Sequence, residues 1–187
     1  MKKFELTNEF VTNMFGTKLF RIRALVEFGD VEAGELGGYV EKESNLGHDD
    51  NAWVYDNAWV YGNARVYGDA RVSGNAWVYD NAWVYGNAQV SGDARVCGDA
   101  RVCGNGDYAY AHGFGSVNRT TTFFRLKDGG VGVRCGCFYG TLAQFRDKIR
   151  ETHGETKKAQ EYLMLADLME LRFEEDENEV GNRKYVE

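Results

Sequence analysis

Aromatic and arginine side chains recur at fixed intervals through the middle of the chain, and these residues have the clearest capacity for chemistry. Trp or Arg occupies almost every sixth residue from 53 to 101, and Tyr, Ser or Cys follows two residues later. Aromatic rings stack on planar groups, and guanidinium groups bind phosphate or carboxylate through paired N–H donors. The pattern therefore predicts a small anionic ligand such as a nucleotide. The predicted contact residues here are Trp59, Trp77, Tyr79, Trp83, Tyr85, Arg95 and Arg101.

A polar loop beyond this region is a second candidate for ligand binding. Residues 115–122 concentrate hydroxyl groups, an amide and a guanidinium beside a glycine. Such a loop can hold a phosphate or a carboxylate, although a polar entry into a strand would explain the same residues. The predicted ligand-binding residues of the loop are Ser116, Asn118, Arg119 and Thr120.

The element that must position the aromatic and arginine residues is a run of nine hexapeptides over residues 51–104. The second residue of each hexapeptide is Ala and the fourth is Val, whereas the third and fifth vary. In an extended chain residues two apart point to one side, so Ala and Val face inward and the variable positions face outward. A Gly or Asp followed by Asn or Asp ends each repeat, and these residues favour a corner. Such a short fixed period predicts a solenoid.

The repeat resembles that of the hexapeptide left-handed parallel β-helix proteins. That resemblance implies three hexapeptides per triangular coil, stacking of residue i on residue i+18, a left-handed coil and assembly into a homotrimer. Stacking at i+18 sorts the outward third positions onto three faces. The first face carries Trp53, Arg71 and Gln89, the second Trp59, Trp77 and Arg95, and the third Arg65, Trp83 and Arg101.

This arrangement places all four tryptophans outside the interior of the coil, with Trp59 stacked on Trp77 and Tyr61 on Tyr79. A monomer rarely exposes such an aromatic patch to water. The patch is therefore interpreted as a subunit interface, as a ligand platform, or as both where a ligand binds between subunits.

The chain is predicted to be mainly β: a left-handed parallel β-helix, or triangular solenoid, with a C-terminal α+β module of a β-hairpin and two helices. The predicted boundaries are an N-terminal β cap over 1–35, the solenoid over 36–114, the module over 115–175 and an acidic tail over 176–187. Before the repeats, Val40 and Leu46 are assigned to the register of the inward Ala, which would place Lys42 and His48 at inward Val positions. After them, Tyr108 and Phe114 are assigned to that of the inward Val.

Within the module, an Asp128-Gly129 turn predicts the hairpin, and a capping box at 141–144 predicts the start of the first helix. The second helix is expected over about 156–174, with an apolar face that begins at Tyr162.

Composition narrows the class of partner. The net charge of −7 makes nucleic acid an unfavourable main partner. The first residues carry no apolar stretch long enough for a signal peptide or membrane helix, so a cytoplasmic protein is expected. The four cysteines have no disulfide-framework spacing, and we predict neither a metal site nor a cofactor.

The flanks GDVEAGELGGYVEKESNL, FGSVNRTTTFFR and CGCFYGTLAQFRDKIRETHG resemble uncharacterised hexapeptide-repeat proteins of phages, prophages and gut bacteria. With the repeat chemistry, this favours a non-catalytic oligomer that captures a nucleotide-like anion, in one form a sponge for a host's nucleotide immune signal. One alternative is a hexapeptide acyltransferase, which would need His48 or His112 as its catalytic histidine. A structural or protein-docking scaffold is the other.

Overall fold

The computed structural model describes residues 2–174, and its centre is a β-solenoid of about four turns. Each hexapeptide forms one two-residue strand that contains its third residue and its Val. The strands are β4 (Trp53–Val54), β5 (Trp59–Val60), β6 (Arg65–Val66), β7 (Arg71–Val72), β8 (Trp77–Val78), β9 (Trp83–Val84), β10 (Gln89–Val90), β11 (Arg95–Val96) and β12 (Arg101–Val102).

Parallel pairing at a spacing of 18 residues builds the three faces that the sequence predicts. The first face contains β4, β7 and β10, the second β5, β8 and β11, and the third β6, β9 and β12. The repeated Ala and Val side chains are buried along the whole interior, with exposed fractions of 0–1%. The prediction of a mainly β solenoid is therefore confirmed. Its left-handed sense stays a prediction from the resemblance.

The corners between strands need backbone conformations that few residues adopt. Gly62 has a φ of +71°, and Asp56 and Asp80 occupy the same corner position with φ values of 52° and 59°. The side chain of Asp56 gives its corner a second role, because Oδ2 accepts a hydrogen bond of 2.9 Å from the backbone N–H of Gly74 in the next coil. Asp at this position therefore links successive coils as well as turning the chain.

An N-terminal hairpin covers the start of the solenoid. Strands β1 (Phe4–Thr12) and β2 (Lys18–Ala24) pair antiparallel, and β2 pairs antiparallel with β3 (Leu36–Val40). β3 then pairs parallel with β5 and so extends the sheet of the second face. Trp53 lies outside the Ala and Val interior as predicted, but it is fully buried, because the rings of Phe4 and Phe28 pack on its indole with centroids at 6.2 Å and 5.3 Å.

The register predicted for the first coil is wrong by two residues. Val40 pairs with Val60, and Leu46 forms a bridge with Val66, so both occupy the Val position rather than the Ala position. The next inward Val is Val54, eight residues after Leu46 instead of six, which locates two additional residues at the corner over 47–51. Lys42 consequently does not point inward; it is exposed at a corner.

The parallel pairing of the solenoid ends before residue 108. Strand β13 (Tyr108–Phe114), which the repeat register assigned to the coil, pairs antiparallel with β14 (Arg119–Arg125). β15 (Val131–Cys135) and β16 (Phe138–Thr141) complete a four-stranded antiparallel sheet. Tyr108 follows the inward pattern only in its burial, because its ring joins the solenoid interior.

Two helices pack on this sheet. α1 (Leu142–His153) begins at the predicted capping box of Thr141 and Gln144, and α2 (Lys157–Phe173) follows. Their buried residues form a second core with Phe123 and Val133. No helix within residues 2–174 is long and apolar enough to cross a bilayer. The predicted acidic tail over 176–187 lies outside the described residues.

β14 closes the open cross-section of the last coil. The Arg95 N–H donates to Thr122 Oγ1 at 2.9 Å, Ala100 bridges Leu126, and the Lys127 N–H donates to the Asp99 carbonyl at 3.0 Å. These bonds fix the β14–β15 turn over the corner of the third face.

Candidate anion-binding site

The second face carries a column of rings with a cation at its upper end. The indoles of Trp59 and Trp77 are stacked with centroids 4.8 Å apart and planes within 4°. One coil further on, the guanidinium of Arg95 lies 4.3 Å from the centroid of the Trp77 ring. Beside this column Tyr61 and Tyr79 are stacked at 5.1 Å. The predicted stacking of both pairs is confirmed.

The tyrosine column of the second face is largely removed from water. Burial raises the pKa of Tyr61 to about 12, and it also raises the pKa of Tyr79 above the ordinary value. Cys97 continues the column at 1% exposure, and burial raises the pKa of its thiol to about 11. The sulfur is therefore protonated at neutral pH and is a poor nucleophile.

The third face carries one indole between two guanidinium groups. Arg101 lies over the Trp83 ring at 4.3 Å, and Arg65, one coil below, lies at 5.6 Å. The Nη1 group of Arg101 donates to the carbonyls of Asn81 and Ala100 at 3.0 Å and 2.8 Å. Tyr85 stacks on Tyr67 beside this column, with centroids 5.1 Å apart.

The spacing of the stacked indoles leaves no room for a planar ligand group between them. Inserting a planar group between two stacked rings needs a separation of about 7 Å, which is twice the contact distance between carbon atoms. Trp77 already contacts Trp59 on one side and Arg95 on the other, and Trp83 lies between two arginines. Both ring faces of Trp77 and of Trp83 are thus occupied within the chain. The indoles hold the guanidinium groups in place through cation–π attraction.

The predicted polar loop lies between β13 and β14, and its bonds connect it to α2. Ser116 N–H donates to the Tyr162 hydroxyl at 3.1 Å, and Thr120 Oγ1 is 2.9 Å from His112 Nδ1. Asn118 has a φ of 48° and is exposed, as is Arg119. The predicted ligand-binding residues therefore fall into three places: the second face, the third face and this loop.

A groove of about 480 Å³ on the third face brings several cations together. It contains Trp83, Arg65 and Arg101 from the coils, Lys42 from the first corner, and Lys127 from the β14–β15 turn. Asp99 is a carboxylate on its wall, and its Oδ1 accepts from Asn81 Nδ2 at 3.3 Å. We call this the third-face groove; its six defining residues are Lys42, Arg65, Trp83, Asp99, Arg101 and Lys127.

The four cations of the third-face groove lack acidic partners. None of them forms an ion pair within residues 2–174, although carboxylates outnumber cations in the chain. Elsewhere on the molecule several arginines are paired with carboxylates, as Arg71 is with Asp30 at 2.8 Å and Arg146 with Glu170 at 2.7 Å. Four unpaired cations around one indole repel each other and attract an anion. The charge of the groove suits a ligand with more than one negative charge.

Of these four cations, only Arg101 is among the predicted contact residues. Arg65 was predicted to lie on the third face, whereas Lys42 and Lys127 were missed. Lys42 was assigned to the interior because the two additional residues at 47–51 shift the register. Lys127 directly precedes the predicted Asp128-Gly129 turn, and its place over Asp99 depends on the contact between the turn and the last coil. A break in the hexapeptide spacing beside a conspicuous lysine was the available signal for Lys42; no local pattern marks Lys127.

Comparison with known protein families agrees with the solenoid. Five overlapping stretches match the family model described as YdcK Beta solenoid repeat: residues 58–74, 64–80, 70–86, 76–92 and 88–104. Together they span residues 58–104, about a quarter of the chain. No protein in the comparison with curated proteins matches the chain. The central coils, which carry most of the third-face groove, are therefore similar to the YdcK β-solenoid repeat.

Proposed function

We propose that this chain is a non-catalytic, oligomeric binding protein that captures a small anionic, nucleotide-like ligand in the third-face groove. The observation that carries the proposal is the group of four cations without acidic partners: Lys42, Arg65, Arg101 and Lys127. Charge-assisted hydrogen bonds to phosphate are among the strongest polar contacts that a protein makes.

The groove is prepared for an anion before the anion arrives. Arg101 is fixed by two backbone carbonyls and by the indole of Trp83, so its guanidinium loses little conformational freedom on binding. Its Nε and Nη2 groups make no hydrogen bond within residues 2–174 and remain available to a ligand. A short two-residue strand in a stacked coil is also a rigid support for the side chain. The site therefore favours a compact polyanion of defined shape.

The occupied ring faces indicate which part of a nucleotide matters. Because Trp83 lies between two arginines, a base has no open indole face to stack on here. The phosphate groups would then supply most of the binding free energy. A triphosphate without a base should therefore bind measurably to the same groove.

Titration calorimetry with cyclic oligonucleotides, ADP-ribose and inorganic triphosphate tests the proposal at low salt. We expect micromolar or tighter binding of at least one of these anions and a change in tryptophan fluorescence from Trp83. Arg65→Gln/Arg101→Gln is the test variant, since Gln89 shows that the third position of a repeat accepts Gln. Arg71→Gln on the first face is the matched control. If no anion in the panel binds, the proposal fails.

In its most specific form the proposed ligand is a nucleotide immune signal of a host cell, sequestered in the cytoplasm by a phage-encoded protein. The flanking segments that resemble phage and prophage proteins support this form. A preference for cyclic oligonucleotides or ADP-ribose over inorganic triphosphate would favour it. Equal binding of all three would leave the anion site in place and contradict the immune-signal form.

Self-association is part of the proposal, with a trimer as the expected state. The half-buried rings of Trp59, Trp77, Tyr61 and Tyr79 give the second face an aromatic surface that supports contact between copies. Light scattering coupled to size-exclusion chromatography measures the mass directly. A monomeric mass at micromolar concentration would contradict this part without affecting the anion site.

The geometry of the candidate histidines does not favour the acyltransferase alternative. Nδ1 of His48 accepts a hydrogen bond of 3.2 Å from the backbone N–H of Lys3, and its ring stacks on Phe4 at 4.4 Å. A neutral imidazole with an accepting Nδ1 carries its proton on Nε2. Nε2 of His48 therefore has no lone pair with which to act as a general base. His112 lies on the exposed β13 beside Thr120.

A scaffold that docks another protein is the second candidate function, and one observation favours it. Met164, Leu168 and Leu171 follow one side of α2 at spacings of four and three residues, and more than half of each side chain is exposed. An apolar stripe of this kind is typical of a helix that packs against a partner. A Leu168→Glu variant that abolishes recruitment of a partner while anion binding persists would separate the two functions.

A further inference from the structure

The first face carries a second groove, larger than the third-face groove and of different chemistry. Its cavity volume is about 710 Å³, and it lies between the coils of the first face, β13 and the end of α2. We call it the first-face groove; its lining includes Tyr55, Ser73, Gln89, Ser91, Tyr110 and Arg172.

The charges around the first-face groove balance within the protein. Arg71 donates to Asp30 at 2.8 Å, and the Tyr55 hydroxyl donates to the same carboxylate at 3.1 Å. Arg172 donates to the Asn105 carbonyl at 3.2 Å, and Asp56 is a carboxylate on the wall. The groove thus lacks the surplus of cations that would select an anion.

The floor of the groove presents polar groups that are neutral and available. Ser73 and Ser91 occupy the same repeat position in successive coils, so their hydroxyls lie about one strand spacing, roughly 4.8 Å, apart. Within residues 2–174 neither hydroxyl makes a hydrogen bond, and the Gln89 side-chain amide makes none. Two hydroxyls and an amide together offer both donors and acceptors.

An exposed aromatic ring borders these polar groups. Tyr110 lies against Gly92, where a Cβ would come within 2.4 Å of the tyrosine hydroxyl, so a glycine is needed there for the ring to fit. The ring is 41% exposed, and it lines the same groove as Ser91, which directly precedes Gly92 in the sequence. At the other end of the row, the ring of Tyr55 continues the column below Ser73. Aromatic rings at the edge of a neutral, hydroxyl-rich floor suit the apolar C–H face of a sugar ring.

We propose that the first-face groove binds a neutral carbohydrate through the Ser73, Gln89 and Ser91 side chains, with the Tyr110 ring at its edge. Hydroxyl and amide groups bind the sugar hydroxyls, which are themselves donors and acceptors. The tyrosine ring covers apolar C–H groups. This site is independent of the anion-binding proposal, because it lies on another face and shares no residue with the third-face groove.

NMR of ¹⁵N-labelled full-length protein tests this inference with maltotriose, cellotriose and chitotriose as probes. We expect a saturable shift of the Gln89 side-chain amide signal and of the backbone signals of Ser73 and Ser91 with at least one of them. The side-chain amides of Asn63 and Asn81, at the third-face groove, should stay unshifted. An absence of saturable shifts with all three sugars overturns the inference.

Two variants fill the groove with residues that the repeat already tolerates. Ser91→Tyr introduces the residue found at the same repeat position in Tyr85, and Gln89→Arg introduces that of Arg71. Each should abolish the shifts, and unchanged thermal unfolding shows that the fold persists. Arg65→Gln serves as the control and should leave them intact. Shifts that survive both groove variants contradict the inference, whatever the result of the anion titrations.

Discussion

The first and third faces of the solenoid are made from the same hexapeptide, yet their grooves differ in charge. The third-face groove collects Lys42, Arg65, Arg101 and Lys127 without an acidic partner. On the first face, Arg71 is paired with Asp30, and the floor consists of hydroxyl and amide groups. The inward Ala and Val are the same in both. The difference shows that fold and surface chemistry reside in separate positions of the repeat.

This separation follows from the backbone period. Residues that alternate along a strand point to opposite sides, so the third and fifth positions change without altering the interior. Each outward position also recurs every 18 residues, which lets a single substitution change one rung of one face. The outward repeat residues that line either groove can therefore be replaced with residues that other repeats already carry.

The largest expected effect comes from removing the paired arginines of the third face. Arg65→Gln/Arg101→Gln deletes two charge-assisted contacts, each worth about 1.5–3 kcal/mol, so the affinity for a polyanion should fall by at least about a hundredfold. Calorimetry at low salt measures the change. Arg71→Gln on the first face should leave the affinity within about twofold, and an equal loss in both variants would place the anion elsewhere.

The contrast between inward and outward positions makes a second prediction. Val84 is fully buried directly beside the outward Trp83. Val84→Ala removes two buried methyl groups and should lower the free energy of unfolding by about 2 kcal/mol. The outward Arg65→Gln should change it by less than about 0.5 kcal/mol. Urea denaturation compares the two, and similar losses would contradict the separation of fold from surface chemistry.

Much of the solenoid was predictable because its information is local. The Ala and Val spacing predicts the buried side, and the 18-residue stacking predicts which rings meet, as with Trp59 on Trp77. The ends were less predictable. Because two additional residues lie at 47–51, Leu46 occupies the Val position and not the predicted Ala position. Tyr108 keeps the spacing of the repeat, but its strand pairs antiparallel with β14 and does not continue the parallel coil.

The candidate site was predictable in part, for a related reason. Arg101 and Trp83 follow from the repeat, and their placement on one face follows from the register. That both sides of Trp83 are occupied by arginine depends on side-chain conformations that spacing does not specify. Lys127 reaches the groove through a contact between two different parts of the fold, which no local pattern encodes.

The salt dependence of binding should also differ between the two grooves, with a smaller change in affinity than the double arginine substitution causes. Raising the salt concentration from about 50 mM to about 300 mM screens exposed charges and should weaken binding of a polyanion on the order of tenfold. Binding of a neutral sugar in the first-face groove should change by less than about twofold. Parallel titrations of inorganic triphosphate and maltotriose measure both. A salt-insensitive anion affinity would mean that the exposed cations are not its main contacts.

The smallest effect concerns pH and Tyr55, at the edge of the first-face groove. Burial, followed by the hydrogen bond to Asp30, raises the pKa of Tyr55 to about 12 from 10.0. The folded state thus keeps a proton that the unfolded state releases, so this contribution to stability is complete below pH 10 and is lost as pH rises towards 12. Tyr55→Phe should make unfolding slightly less sensitive to pH in this window. An unchanged slope in urea denaturation would contradict it.

If the third-face groove holds a small anion in the cell, the purified protein should carry that anion with it. Purified wild type and Arg65→Gln/Arg101→Gln are heat-denatured, and the released small molecules are compared by mass spectrometry. We expect a phosphorylated species, in amounts comparable to the protein, that is released by the wild type and strongly depleted in the variant. Release of the same species in equal amounts from both, or of no anionic species from the wild type, would contradict it.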